Sequence, residues 1–173
     1  MSFENITVTL KQIGAYIARQ QFNDAVDVLI NGDGNANPAP VIDCETGTAL
    51  KYTDLLNLIE ALDPYNMSAV VASPGMVMDI LNIDEFKNPL TGINFAGTGK
   101  VGKPLGAKLL KSSAVEPGRL IGLDSSCALE MVVASDVEVD YDKLIDRQLE
   151  RAAITTTAGF AKIFNEASVV LNI

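Results

Sequence analysis

Two stretches near the start of the chain decide the fold: Val8-Thr-Leu-Lys-Gln-Ile-Gly-Ala-Tyr-Ile-Ala-Arg19 and Asp24-Ala-Val-Asp-Val-Leu-Ile-Asn-Gly-Asp-Gly34. Proline is absent from residues 3–30, and apolar residues recur there on one helical face. They are Ile6, Leu10, Ile13 and Ile17, followed by Val28 and Leu29. Asn31-Gly32 suits a helix end, because glycine adopts the left-handed turn that closes a helix. The pattern predicts one helix over 3–31, about 40 Å long at the usual rise, although Ile6-Thr-Val-Thr also fits a strand.

The rest of the chain alternates short helices and strands with turn-rich segments. One helix is predicted over 53–62, with Thr53 as its cap, and another from Pro74 onward, with Ser73 as its cap. A further short helix fits 141–149. Strands are predicted at 69–72, 107–110, 119–123, 129–134, 137–139, 152–163 and 168–173. Helices early in the chain, a mixed sheet and a β-rich end together predict an α+β fold.

The composition is that of a globular protein and removes several classes of enzyme. The chain has 173 residues, of which 48% are hydrophobic and 20% charged. This suffices for one domain or two small, closely packed ones. The chain contains no histidine. Its absence excludes Ser-His-Asp and Cys-His nucleophile systems, histidine general bases and zinc sites that need imidazole.

Charge and cysteine usage narrow the range of partners. The net charge is −9 and the lysines and arginines are scattered, so nucleic-acid binding is not expected. No apolar run approaches the length of a membrane span, and the first residues do not have the pattern of a signal peptide. Cys44 and Cys127 lie far apart in the sequence, which favours two reduced thiols over a long-range disulfide.

Two motifs partly match ligand-binding loops. Gly97-Thr-Gly-Lys-Val-Gly102 fits the dinucleotide fingerprint, and with Lys103 it fits most of a phosphate-binding loop. Pro104 stands where that loop needs Ser or Thr, and no helix is predicted after it. A calcium loop starting at Asn31 fails at its sixth and twelfth positions. No cofactor or metal is therefore expected, and a nucleotide-binding enzyme using the loop from Gly97 to Lys103 stays an unfavoured alternative.

Four carboxylates alternate near the end of the chain, at Asp136, Glu138, Asp140 and Asp142. On a strand they would project from one face, where they repel each other unless they are solvated, paired or bound to a cation. The interpretations are a solvated edge, an intersubunit ion-pair surface and a metal site, in that order of preference. In the second, the partners are basic residues of a neighbouring copy, namely Lys143, Arg147 and Arg151.

The ordered set of segments resembles the major capsid proteins of tailed bacteriophages, which have the Hong Kong 97-type fold. The two opening stretches resemble that family's long spine helix and its closing Asn-Gly-Asp-Gly turn. Three later stretches resemble its strands and the step between them: Ala69-Val-Val-Ala-Ser-Pro74, Gly102-Lys-Pro-Leu-Gly-Ala-Lys-Leu-Leu110 and Arg119-Leu-Ile-Gly-Leu-Asp124. Arg147-Gln-Leu-Glu-Arg151 and residues 161–171 are similar to the last strands. The resemblance runs in order over nearly the whole chain.

The resemblance implies a structural protein, not an enzyme, made of two subdomains. A peripheral domain would take residues 1–36 and 130–173, including the spine helix, and an axial domain would take residues 37–129. Contacts among neighbouring copies are implied at the 84–104 excursion, at the 115–118 turn and at the acidic strand. Outside the acidic strand and its basic neighbours, the candidate contact residues are Lys100, Lys103 and Glu116.

The implied function is that of a head protomer, which assembles with its own copies into the pentamers and hexamers of an icosahedral shell. Such a shell forms in the bacterial cytoplasm and becomes part of the virion. Scaffolding, portal and maturation protease proteins are the further partners. The family's N-terminal arm and E-loop precede the spine helix, and we expect both to be missing from this chain. An encapsulin, a nanocompartment shell with the same fold, is the alternative.

Overall fold

The computed structural model describes residues 3–34, 36–45, 47, 49–87, 103–144 and 149–173. Short 3-10 turns cover Pro104–Gly106 and Asn165–Ala167. The helices and strands are, in chain order, α1 (Phe3–Asn31), β1 (Val41–Asp43), α2 (Tyr52–Ala61), β2 (Ala69–Ala72), α3 (Pro74–Asn82), α4 (Asp84–Lys87), β3 (Lys108–Lys111), β4 (Arg119–Leu123), β5 (Leu129–Leu144), β6 (Leu149–Lys162) and β7 (Ser168–Asn172). This mixture confirms the predicted α+β fold class.

The long helix α1 is mostly exposed from residue 7 to residue 20 and ends in the core. It has 29 residues and is therefore about 43 Å long. Most of its side chains between residues 7 and 20 are exposed, whereas Val26 and Leu29 near its end are buried. The helix ends at Asn31, and Gly32 follows with a φ of 83°. The predicted stop is thus confirmed, and the segment that also fitted a strand is helical.

Five short strands form the central sheet, in the order β1-β7-β4-β2-β3. The middle strand, β4, runs antiparallel to both β2 and β7, whereas β1 is parallel to β7 and β3 is parallel to β2. All four residues of β2 are buried. A strand that is apolar along its whole length indicates cover on both faces of the sheet.

Two apolar clusters provide that cover. On one face, the sheet packs against Leu58 of α2, Leu62 just after α2 and Ile80 of α3. On the other, the last turns of α1 pack against residues of β2, β4 and β7. Gly122 in β4 allows the close approach of α2, because a Cβ atom there would lie 2.9 Å from Leu58 Cδ2. The core is thus a sheet between two helical layers.

Ser73 and Thr53 were predicted as helix caps, with different outcomes. Ser73 is confirmed, because its Oγ accepts the N–H of Met76 at 3.5 Å. The prediction that Thr53 caps α2 is wrong, because the helix already begins at Tyr52. The buried carboxylate of Asp54 sets this start by accepting the N–H of Lys51 at 2.8 Å. A carboxylate one residue later therefore replaces the predicted hydroxyl.

The end of the chain differs most from the prediction. Residues 129–134 and 137–139 belong to one 16-residue strand, β5, and residues 141–144 and 149 are strand rather than helix. The helix predicted over 141–149 does not form, because the alternating Val and Tyr residues favour extended backbone and pair with β6 over a long register. Cys44 and Cys127 are not joined in a disulfide, in agreement with the predicted pair of thiols.

Candidate assembly interface

The predicted acidic strand is half of a long hairpin that is separate from the central sheet. β5 and β6 pair antiparallel from Leu129 opposite Lys162 to Leu144 opposite Leu149. Nearly all described side chains of β5 are exposed. Because directly opposed residues of an antiparallel pair project to the same side, the register assigns each residue to one of two faces.

One face is acidic. Glu138, Asp140 and Asp142 project from it, opposite Thr155, Ala153 and Arg151. Arg151 Nη2 lies 3.1 Å from Asp142 Oδ2, and both side chains are largely exposed. An exposed ion pair of this kind contributes at most about 1 kcal/mol. The face thus keeps a surplus of negative charge in the described part of the hairpin.

Asp136 does not take part in this alternation. The register shifts between Val133 and Ser135 and again between Ser135 and Glu138, so Asp136 has no residue of β6 directly opposite. The Thr156 hydroxyl donates to the Ser135 carbonyl at 3.2 Å within this irregular stretch. The prediction that all four carboxylates share one face is therefore wrong for Asp136, because a bulge interrupts the strand period.

The other face is apolar. Opposed pairs on it include Met131 with Phe160 and Val139 with Ile154. On the β6 half, a groove beside α1 is lined by Tyr16, Ile17, Gln20, Gln21, Asp24, Ile154, Thr155, Thr156 and Ala158. On the β5 half, Met131 remains 46% exposed and Val139 54% exposed. The helix thus covers one strand of the hairpin and leaves the other open.

Asp124 fixes the root of the hairpin, meaning the turn over residues 124–128 that leads into β5. Its Oδ1 accepts the hydroxyl of Ser126 at 2.6 Å and the Ser126 N–H at 3.0 Å. Its Oδ2 accepts the N–H of Asn66 at 3.1 Å. These hydrogen bonds, led by the Ser126 hydroxyl, hold the pKa of Asp124 below its usual value despite burial. The network ties the turn before β5 to the segment before β2.

Lys162 joins the other strand of the hairpin to the end of α1. Its Nζ donates to the carbonyl of Asn37 at 3.1 Å and to Asn165 Oδ1 at 2.9 Å. Partial burial lowers the pKa of Lys162, and the negative charge of Asp33 opposes that shift. The cation therefore links β6 to the turn that follows α1.

The remaining predicted contact residues are dispersed. Glu116 lies in the turn before β4 and pairs with Arg119, its Oε2 lying 2.7 Å from Arg119 Nη1. Lys103 is exposed just before β3. Lys143 is opposite Glu150 in the hairpin, but its side chain lies outside the described residues. Lys100 and Arg147 lie outside them altogether.

Sequence reasoning missed one basic group, the lysines of the edge strand β3. Lys108 and Lys111 bracket this strand, and both are exposed. The pattern Lys-Leu-Leu-Lys was the available signal, because lysine at both ends of a short strand is typical of an edge.

The described residues contain no candidate metal cluster. Among them, no group of three or more acidic or cysteine side chains could hold a metal ion. The glycine-rich motif from Gly97 to Gly102 lies outside the described residues, and the chain after it forms a 3-10 turn and strand β3 instead of a helix. No helix in the described part of the chain is long and apolar enough to cross a membrane.

Comparison with solved structures identifies the fold. A chain from Mycobacterium phage Che8 superposes with a TM-score of 0.72 at 18% identity, covering 99% of this chain and 63% of that one. The capsid of the native GTA particle gives a TM-score of 0.73 at 12% identity, covering 100% of this chain and 67% of that one. The fold is therefore that of phage capsid proteins, the Hong Kong 97-type fold.

Shell proteins of other origin share it. The holo-SrpI encapsulin complex from Synechococcus elongatus gives a TM-score of 0.65 at 14% identity, covering 96% of this chain and 65% of that one. This chain spans 63% of the length of the Che8 chain. No protein-family model and no curated protein sequence matches it.

Proposed function

We propose that this chain is the structural core of a major capsid protein, a protomer that assembles into the icosahedral shell of a tailed phage or prophage. One observation carries the proposal: the superposition on phage-type capsid chains extends over 99% and 100% of this chain. A match over the whole chain includes the hairpin and the outer part of α1, which the central sheet alone does not require.

The position of the exposed apolar residues supports a role in assembly. Exposed apolar residues are concentrated on β5, where Val132, Val137 and Tyr141 are each more than half exposed. Several exposed apolar residues on one strand suit a contact with another protein.

In this proposal the principal partner is a second copy of the chain, in pentamers and hexamers. Scaffolding, portal and maturation protease proteins are the further partners, and the virion is the final location.

The peripheral domain consists of residues 1–36 and 130–173, and the axial domain of residues 37–129. Strand β7 of the peripheral set lies within the central sheet, so the two domains share that sheet. The protein carries out no reaction.

An encapsulin is the second candidate, because an encapsulin shell also has this fold. The phage assignment is preferred, since capsid chains of several phages and of GTA particles recur among the similar solved structures. The TM-scores alone do not separate the two candidates, because the chain from Gordonia phage Cozz gives 0.62 and the encapsulin 0.65. A nucleotide-binding enzyme is disfavoured by the strand that follows the 97–103 loop. Calorimetry with ATP and NAD tests it, and saturable micromolar binding would reverse this order.

Electron microscopy of the protein expressed alone in a bacterial host tests the proposal. We expect capsomers or shells, together with a mass above that of the monomer in light scattering. Copurification of a specific cargo enzyme inside the particles would favour the encapsulin. Monodisperse monomers over all salt and concentration conditions would contradict both kinds of shell protein.

A further inference from the structure

The acidic face of the hairpin has carboxylates that its own chain leaves unpaired. In the described part of the structure, Glu138 and Asp140 are exposed and have no cationic partner. Arg151, predicted to bind such carboxylates in a neighbouring copy, already pairs with Asp142 of the same hairpin. A neighbour that neutralises Glu138 and Asp140 must therefore offer other cations.

The edge strand β3 offers such cations. Lys108 and Lys111 are exposed at its two ends, and Lys103 is exposed shortly before it. None of the three has an ion-pair partner among the described residues. Among the described strands, β3 pairs with β2 alone and is therefore an edge of the described sheet.

The strand β5 is also an edge. In the described structure it pairs only with β6, so one side of a 16-residue strand is free. Two β5 edges brought together would place carboxylates against carboxylates, and two β3 edges would place lysines against lysines. Like charges directly opposite each other destabilise strand pairing. The unlike pairing, β3 of one copy with β5 of another, is the one that charge favours.

We propose that the lysine edge of one copy, with Lys103 before β3 and Lys108 and Lys111 projecting from opposite faces at the two ends of β3, docks against the acidic edge of a second copy (Glu138 and Asp140 on β5). This inference rests on the proposed function, since it names a contact by which shell protomers would recognise one another.

Such a contact joins two different surfaces, so in a pair of copies one copy keeps an unused acidic edge and the other an unused lysine edge. A contact of this head-to-tail kind propagates, and it closes into a ring when the rotation between copies permits. Its charges are exposed before docking, so association should weaken as salt rises above about 0.1 M, where the screening length is about 10 Å.

Charge reversal on each edge tests the contact. The acidic-edge variant is E138K/D140K and the lysine-edge variant is K108E/K111E. All four side chains are exposed, so we expect both variants to fold, which circular dichroism and thermal unfolding verify. The matched control is E60K/D63K, which makes the same charge change at exposed residues near the end of α2.

Self-association is measured by sedimentation velocity at low and high salt. We expect each variant alone to associate on the order of tenfold more weakly than the wild type, because like charges then face each other. An equimolar mixture of the two variants should regain association, since its edges are again complementary. The control should associate like the wild type.

The outcomes separate this contact from the shell function itself. Either variant assembling like the wild type, or a mixture that does not recover, would overturn the contact. If electron microscopy still showed shells in those cases, the capsid proposal would stand without it. A wild-type chain that stays monomeric at low salt would also overturn the contact.

Discussion

The central sheet and the β5–β6 hairpin both contain pairs of adjacent valines. These valines are buried in the sheet and exposed in the hairpin. Val70 and Val71 in β2 are 3% and 1% exposed, whereas Val132 and Val133 in β5 are 56% and 47% exposed. The difference lies in what covers each strand. Helices cover both faces of the central sheet, whereas α1 covers only the β6 half of one face of the hairpin.

The contrast implies that the central sheet stabilises the fold and that the hairpin serves contacts with a partner. Burial of apolar surface is the main stabilising contribution to folding, and in this chain it is concentrated around the central sheet. A two-stranded hairpin is at best marginally stable by itself. The hairpin therefore depends on α1, on the Asp124 network and on Lys162 within the chain, and its open half is left for contacts with a partner.

The largest expected effect is in the core. Leu58→Ala should lower the free energy of unfolding by about 2–5 kcal/mol, because Leu58 is fully buried between α2 and β4. Leu56→Ala in the same helix is the matched control, since Leu56 is 43% exposed. Urea unfolding measures both. Equal losses for the two variants would contradict the assignment of the core to this face of α2.

The next effect is at the end of α1. Gly32→Ala should destabilise by about 2 kcal/mol or more, because a Cβ there combines a positive φ with a collision against the Ala36 carbonyl. Gly34→Ala is the control, since Gly34 has a positive φ and open space around it. Thermal unfolding compares them, and a smaller loss at Gly32 than at Gly34 would show that this turn is loose.

A smaller effect is expected at the root of the hairpin. Asp124→Asn should cost about 1–3 kcal/mol, because an amide cannot accept all three hydrogen bonds. Asp79→Asn, at an exposed position, is the control. Since folding lowers the pKa of Asp124, its contribution is present above the unfolded value of about 4 and is lost as pH falls through the lower folded value.

Denaturant unfolding from pH 7 down to pH 2 measures this dependence. The wild type should lose stability more steeply below about pH 4 than Asp124→Asn does, because the variant has no carboxylate to protonate. Parallel curves for the two proteins would show that the Asp124 hydrogen bonds do not hold the root of the hairpin.

The smallest effect is on the open strand. Val132→Ala should change the free energy of unfolding of the monomer by less than about 0.5 kcal/mol, as is usual for surface substitutions. Val71→Ala, its buried counterpart in the sheet, should lose about 1.5 kcal/mol or more. Equal losses of unfolding free energy for the two variants would contradict the conclusion that the sheet is buried and the β5 strand is open.

The reliable sequence predictions rested on local chemistry. The end of α1 at Asn31-Gly32 and the start of α3 at Ser73-Pro74 were both confirmed, because glycine, serine and proline act within one turn of the backbone. The strand at Arg119–Leu123 was confirmed as well. The helix over 141–149 failed because pairing with a strand later in the chain overrides local helix propensity.

The candidate interface was only partly predictable. Alternation placed Glu138, Asp140 and Asp142 on one face, but the bulge that removes Asp136 depends on the register with β6. The ion pair of Arg151 within its own hairpin likewise depends on that register. The lysines of β3 gained significance only when the strand order showed that β3 is an edge.

By itself, the sequence determined most of the helices and central strands, the acidic charge and the absence of histidine chemistry, since these follow from residue type and local spacing. Only the tertiary structure decided which apolar strands are buried, which strand edges are open and which charges are already paired. Burial, pairing and edge position depend on residues far apart in the chain. For that reason the same Val-Val pair lies inside one sheet and on the surface of the other.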